Sequence, residues 1–211
     1  MSGFDPGGVA VHVGVVEREP VVGVDPGDGA AQVVGVETSK GKFSASTYLA
    51  AAGAWTASLL EETGIELGVT PVRGQMVLFK VMPGRLRRIV MNNGKYLIPR
   101  KDGHVLAGST LEYVGFDKQT TEQGYQELLM AAFEMVPYLK DAAVVGHWAG
   151  LRPGSEDGVP IIDRHPTLQN LVICSGHFRN GIIIGLGSSR IAAALLSDMS
   201  AEISASPYRI K

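Results

Sequence analysis

Two short segments carry the residues best suited to chemistry, Ala149-Gly150-Leu151-Arg152-Pro153 and Ser175-Gly176-His177-Phe178-Arg179-Asn180-Gly181. Each sets one arginine close to glycine at what reads as the end of a β-strand. A guanidinium is permanently charged, and its planar fork of donors matches a carboxylate through two parallel hydrogen bonds. Two such groups at strand ends point to a pocket for a small carboxylate. The alternative is a pair of surface ion pairs. Neighbouring glycine weighs toward the pocket, because it permits close backbone approach to a ligand and unusual dihedral angles.

Other candidates are weaker. Tyr96, in Lys95-Tyr96-Leu97-Ile98-Pro99-Arg100, stands on a predicted strand, where its hydroxyl either reaches a pocket or faces solvent. Gly185-Leu186-Gly187-Ser188-Ser189-Arg190 imitates the start of a dinucleotide fingerprint. Its sixth position is arginine instead of glycine, and the tail is too short for a following βαβ unit. None of the histidines, among them His147, His165 and His177, has the i, i+4 spacing of a helical metal site, so no metal is expected. Ser175-Gly176-His177 lacks the glycine pattern of a nucleophile elbow. Cys174 lies in an apolar run and reads as buried filler. A helix beginning at Gly181 aims unpaired amides and a partial positive charge at Arg179-Asn180-Gly181-Ile182, which suits an anion or a group that becomes anionic; an ordinary glycine-led helix start is the alternative.

The elements that must position these residues follow from periodicity and turn chemistry. Valine dominates Val9 to Val16 and Val21 to Val24, and Asp25-Pro26-Gly27-Asp28-Gly29 then turns the chain into Gln32 to Thr38, a β-hairpin pattern. Phe43 to Ala52 reads as one strand feeding a glycine turn, with a short helix over Thr56 to Thr63. Strands are predicted at Pro71 to Val81, Lys95 to Pro99 and His104 to Ser109, then a helix from Thr120-Thr121-Glu122 that Pro137 ends. Val144 to Ala149, Val159 to Ile162 and Leu171 to Cys174 are further strands, and Gly181 to about Met199 is a closing helix. Antiparallel pairs mixed with strand–helix units imply a mixed α/β chain of two lobes.

Composition bounds the partners. The 211 residues are 45% hydrophobic, enough for a sizeable core, and 19 Lys and Arg against 21 Asp and Glu give a net charge of −2. Without a basic block interleaved with aromatics, nucleic acid is not an expected partner. The longest apolar run, Ile182 to Leu196, is broken by Gly185, Gly187 and Arg190 and is too short to span a bilayer, so no membrane partner is expected. A single cysteine and the absence of a signal-peptide pattern lead us to expect a reducing, cytoplasmic setting.

Taken in order, Gly53-Ala54-Trp55, Pro71-Val72-Arg73-Gly74-Gln75, Tyr96-Leu97-Ile98-Pro99-Arg100, Gly108-Ser109-Thr110, Ala149-Gly150-Leu151-Arg152-Pro153, Asp157-Gly158-Val159-Pro160 and Gly176-His177-Phe178-Arg179-Asn180-Gly181 resemble flavin-dependent amine and amino-acid oxidases. Within that D-amino-acid-oxidase-like family, the glycine oxidases of thiamine biosynthesis are the most similar. The match runs from about residue 20 to the C-terminus. The resemblance implies that Arg152 clamps the substrate carboxylate, Tyr96 orients the substrate and Arg179 stands at the pocket mouth. It also implies that FAD is the cofactor, contacted by Gly53, Trp55, Gly176, His177, Arg179, Asn180, Gly181 and Ile182, with the stretch Gly176 to Ile182 against the flavin pyrimidine edge. A small amino acid or amine would be oxidised to the imine by hydride transfer, with dioxygen yielding hydrogen peroxide. By the same resemblance, residues 1–66 form part of a Rossmann-like FAD lobe, 67–151 a substrate-binding lobe with a largely antiparallel sheet, and 152–211 a return to the FAD lobe.

The departures are specific. The family opens with a βαβ unit whose Gly-rich turn cradles the FAD pyrophosphate, and that N-terminal unit is missing here. Some glycine oxidases carry a histidine two residues before the tyrosine, where this chain has Gly94. Strands normally covered on both faces would be uncovered, and at roughly 25 cal/mol per Å² several hundred Å² amounts to about ten kcal/mol, a whole domain's stability. The isolated chain is therefore expected to bind FAD weakly or not at all, and a second chain supplying the other half, or a homo-oligomer, is an expected partner. The readings left open are a non-catalytic fragment or small-molecule-binding module, and an oxidase or dehydrogenase for sarcosine, proline or D-amino acids.

Overall fold

The computed structural model describes residues 21–25, 31–38, 41–200 and 202–211. Its largest sheet is built on strand β5 (Val69–Lys80), whose residues alternate in burial from Gln75 to Lys80, as a strand between two environments does. β5 pairs antiparallel with β8 (His104–Gly108) on one side and β9 (Ala143–Ser155) on the other. The strands β7 (Lys95–Pro99) and β6 (Val90–Asn92) complete the order β6-β7-β8-β5-β9. The fold is mixed α/β with a largely antiparallel main sheet, as expected, but β6 was not foreseen: it is three residues long and hydrogen-bonds to β7 across the turn at Asn93-Gly94.

One face of this sheet is closed by helix α2 (Glu122–Met135). Val77, Phe79, Leu97, Val105 and Ala107 point into the core shared with Leu128 and Ala132, and the Phe79 and Phe133 rings meet at 6.2 Å. The Thr121 hydroxyl caps the helix by accepting from the Gly124 amide at 3.1 Å. Pro137 begins a 3₁₀ turn, Pro137–Asp141, because proline forces the preceding residue away from helical geometry.

Toward the other end of β5 the same face becomes polar. Arg73, only 4% exposed, donates from Nε to Glu112 Oε2 at 3.0 Å and from Nη1 to Asp117 Oδ2 at 2.7 Å. Gln75, fully buried, donates to Glu112 Oε1 and Thr121 Oγ1, accepts from the Thr121 amide, and lies 3.0 Å from His147 Nε2. A Cβ at Gly124 would fall 2.3 Å from Gln75 Nε2, so α2 approaches the sheet this closely only because that residue is glycine. These bonds clamp the connection from β8 to α2.

A second sheet has the order β10-β11-β4, formed by β10 (Ile161–Arg164), β11 (Leu171–Ser175) and β4 (Tyr48–Ala50). β11 runs parallel to β4 and is covered on both faces. Leu171 and Ile173 pack with Leu60 of helix α1 (Thr56–Leu60), and Val172 packs with Ile191 and Ala192 of helix α3 (Gly181–Leu196). That explains its unbroken apolar sequence. A third, antiparallel sheet joins β1 (Val21–Asp25), β2 (Gly35–Thr38) and β3 (Gly41–Phe43). The expected pairing of the stretch near Val21 with that before Thr38 is present, whereas Val9 to Val16 lies outside the described residues. Of the strand predicted over Phe43 to Ala52, Phe43 is the last residue of β3 and Tyr48–Ala50 form β4 in a different sheet; the serines between them leave the ladder, and Ser44 Oγ donates to Val34 O.

Burial pushes the Glu112 carboxyl up, but hydrogen bonds from Thr110, Arg73 and Gln75 and the charge of Arg73 outweigh it and hold the group below its ordinary value of 4.5. A depressed carboxyl contributes stability that is complete above the ordinary value and is lost as pH falls through the folded value. Glu112→Gln should therefore cost about 2 to 3 kcal/mol at neutral pH. Urea titrations should show that gap to the parent narrowing as pH falls below 4.5.

Candidate active site

The face of the main sheet turned away from α2 carries the sequence-predicted residues. Register places Gly74 opposite Gly150 and Val72 opposite Arg152 on β5 and β9, and Gly108 of β8 opposite both Met76 and Tyr96. Strand alternation puts Gly74, Met76, Gly108, Tyr96, Gly150 and Arg152 on this one face. Arg152 is not at a strand end as the sequence suggested. It lies inside the 13-residue β9, which continues through Pro153. β9 is the outermost strand of its sheet, and an edge strand tolerates a residue without an amide hydrogen.

Arg152 reaches across the strand pair. Its guanidinium lies over Gly74, where a Cβ would fall 2.0 Å from Nη1 and 2.1 Å from Nη2, and Nη1 is 3.4 Å from the Thr110 carbonyl. The Tyr96 ring lies against Gly108, with its hydroxyl 3.6 Å from Met76 Sδ. Among the described residues no carboxylate pairs with Arg152. Burial and the neighbouring Arg179 cation pull its guanidinium below the ordinary range, against the Tyr96 hydroxyl, which acts to raise it. Arginine keeps its proton regardless, so this is a half-buried cation flanked by a second cation, a setting that favours an anion.

The second group of predicted residues sits where the parallel strands β4 and β11 end. Ser175 Oγ donates to Gly53 O at 2.9 Å, joining the two turns, and both Gly53 (φ +57°) and Gly176 (φ +76°) use the left-handed conformation open to glycine. Crevices beyond the carboxyl ends of parallel strands are the usual ligand positions in α/β sheets. Two bonds tie this loop to β9: Ser155 Oγ to Gly176 O at 3.0 Å and the Phe178 amide to Pro153 O at 2.8 Å. Arg179 is exposed and its Nη2 lies 3.5 Å from Gly94 O, in the turn beside Tyr96. Asn180 caps α3 without a side-chain bond, Gly181 opens the helix, and Ile182 is fully exposed.

His177 Nε2 lies 2.9 Å from Ser188 Oγ, which also lies 3.1 Å from Ile184 O, and burial pushes the imidazole pKa down. Trp55 stands apart from the arginines in its contacts. Its ring packs at 5.9 Å from Phe116 and beneath Lys118 at 5.5 Å, both on the clamped connection after β8.

The structure thus brings Tyr96, Arg152 and Arg179 together, and it brings the Gly53 turn to the Gly176 turn. Sequence reasoning missed the support beneath them: Gly74 and Gly108 as seats for Arg152 and Tyr96, and Thr110 and Glu112 as anchors of the connection. Pro71-Val72-Arg73-Gly74-Gln75 contains the signal, since a charged and an amide side chain flank a glycine inside a strand, where glycine marks a close approach. The Gly185-Leu186-Gly187 pattern lies inside α3, one turn after the helix has begun and not in the turn that leads into it, unlike a phosphate loop.

An unpaired half-buried cation opposes folding, so Arg152→Met should leave stability unchanged or raise it by about 0.5 to 1 kcal/mol. Denaturant unfolding of the two proteins without ligand checks this.

Residues 9–195 match the family model "DAO: FAD dependent oxidoreductase". The chain is 46% identical over 177 residues to a glycine oxidase of Pseudomonas aeruginosa, covering 84% of this chain and 49% of that protein. It is 38% identical over 181 residues to a bifunctional ThiO/ThiG protein of a Synechocystis species, covering 83% of this chain and 26% of that protein. The crystal structure of glycine oxidase from Geobacillus kaustophilus superposes with a TM-score of 0.85 at 29% identity, covering 92% of this chain and 52% of that one. The chain spans about half the length of the curated glycine oxidases it matches. An arginine-bearing antiparallel sheet, joined to parallel strands whose glycine turns lead into a helix, is thus the architecture of that match, and the chain belongs to the DAO family of FAD-dependent oxidoreductases.

Proposed function

We propose that this chain is the substrate side of an amino-acid oxidase that converts glycine, or another small amino acid or amine, to its imine with dioxygen as acceptor and hydrogen peroxide as the second product. The observation that carries the reading is the Arg152 guanidinium, half-buried, without a carboxylate partner, and within electrostatic reach of Tyr96 and Arg179. Arg152 takes the substrate carboxylate and fixes the position of the α-carbon. The Tyr96 hydroxyl orients the bound molecule from β7, across β8 and β5 from β9, and Arg179 guards the mouth from the Gly176 loop. Two cations with no carboxylate paired to either among the described residues disfavour an ammonium, so the substrate amine is held neutral.

The residues fit the inner edge of a flavin. Gly53 and Gly176 allow close backbone approach at the carboxyl ends of β4 and β11, and the α3 N-terminus, which no side chain caps, offers amides to an electron-rich ring edge. When bound, FAD supplies the two-electron acceptor that dioxygen restores. A Gly-rich cradle for its pyrophosphate is not among these 211 residues. Exposed apolar side chains, Leu49 on β4 and Ile182, Ile183 and Leu186 on α3, support completion by residues beyond them.

The chain should emerge colourless after incubation with FAD and desalting. Mixed with the N-terminal half of the Pseudomonas aeruginosa glycine oxidase it should retain visible flavin bands and release peroxide when glycine is added. In that complex Arg152→Ala should lower kcat/KM for glycine by the equivalent of about 3 to 5 kcal/mol. Unchanged catalytic efficiency would remove Arg152 from the reaction.

A further inference from the structure

Gly74 and Gly150 face one another across β5 and β9, on the same side of the sheet as Arg152. Their surroundings differ. A Cβ at Gly74 would sit within 2.0 to 2.3 Å of three guanidinium atoms of Arg152, whereas a Cβ at Gly150 would meet nothing within 4 Å. Directly opposed residues hold their Cβ positions about 5 Å apart. The empty position at Gly150 is therefore the space next to the Arg152 head group. Neither glycine has a positive φ, so the backbone does not require glycine at either place, and strand propensity argues against it at both.

We propose that the Gly74–Gly150 pair determines which carboxylates the site accepts: Gly74 leaves room for the guanidinium, and Gly150 keeps open the space for the carbon substituent beside the carboxylate. Gly74 is a positioning residue acting through Arg152, and Gly150 is a specificity-determining residue acting directly on the ligand. The inference rests on the reading of Arg152 as a carboxylate site, and it adds a physical basis for selection by size. A side chain at position 150 would stand where the substituent of a 2-substituted carboxylate must go, yet its Cβ would meet no protein atom within 4 Å.

The test is a titration of the 211-residue chain with acetate and with 2-methylpropanoate, read from the ¹⁵Nε resonance of Arg152, for the parent, Gly150→Ala, Gly150→Val and Gly74→Ala. Gly150→Ala should hold acetate affinity within about threefold and weaken 2-methylpropanoate by about tenfold or more, a methyl-sized discrimination. Gly150→Val should widen that ratio, while the thermal midpoint of both variants stays level or rises. Gly74→Ala should weaken both ligands alike, because it moves the guanidinium and not the space beside it. If Gly150→Ala and Gly150→Val bind both carboxylates as the parent does, the inference is overturned and the carboxylate site stands. If neither carboxylate moves the Arg152 resonance of the parent, the carboxylate reading fails and takes the inference with it.

Discussion

Every side chain of β5 must point to one face of the main sheet or the other, and almost everything else in the molecule follows from how that choice is made. Arg73, Gln75, Val77 and Phe79 go under α2, so Gly74 and Met76 go to the opposite side, where Tyr96 and Arg152 stand. A slip of one residue would bury Met76 beneath the helix and strand the Arg73 guanidinium away from Glu112. The register is fixed by the polar clamp at one end of the strand and by the aromatic core at the other. The site inherits its geometry from contacts on the face it does not occupy.

The electrostatics divide in the same way. On the α2 face each charge is answered, Arg73 by Glu112 and Asp117, and the buried amide of Gln75 by partners on both its ends. On the other face Arg152 has a carbonyl and a tyrosine but no carboxylate. Among the described residues the charge of Arg73 is thus answered and that of Arg152 is left without a carboxylate, and on that contrast the proposed carboxylate site rests.

Much of the fold was legible because its signals are local. Thr121 with Pro137 bounded α2, and the apolar run Leu171 to Cys174 marked a strand covered on both sides. Phe43 to Ala52 was read as one strand because it has no proline or glycine to show that the chain leaves one sheet after Phe43 and enters another at Tyr48. The strand read over Val144 to Ala149 stopped short of Gly150 to Ser155, since glycine and proline inside a strand are admissible only at a close approach or an edge, and edge position is a tertiary fact. Within the site, Arg152, Arg179 and Tyr96 were found by residue type and by family resemblance. The seats at Gly74 and Gly108 were not, since a glycine's neighbours across a sheet depend on register.

Pro153 has one more consequence. β9 is a long strand with an outward edge, and an unprotected edge of that length invites pairing with another copy of the chain. At Pro153 there is no amide hydrogen to offer, and the carbonyl is already engaged by the Phe178 amide. The stretch beside Arg152 therefore cannot serve as a template for a further strand, and the loop that brings Arg179 into place also acts as a guard against aggregation along that edge.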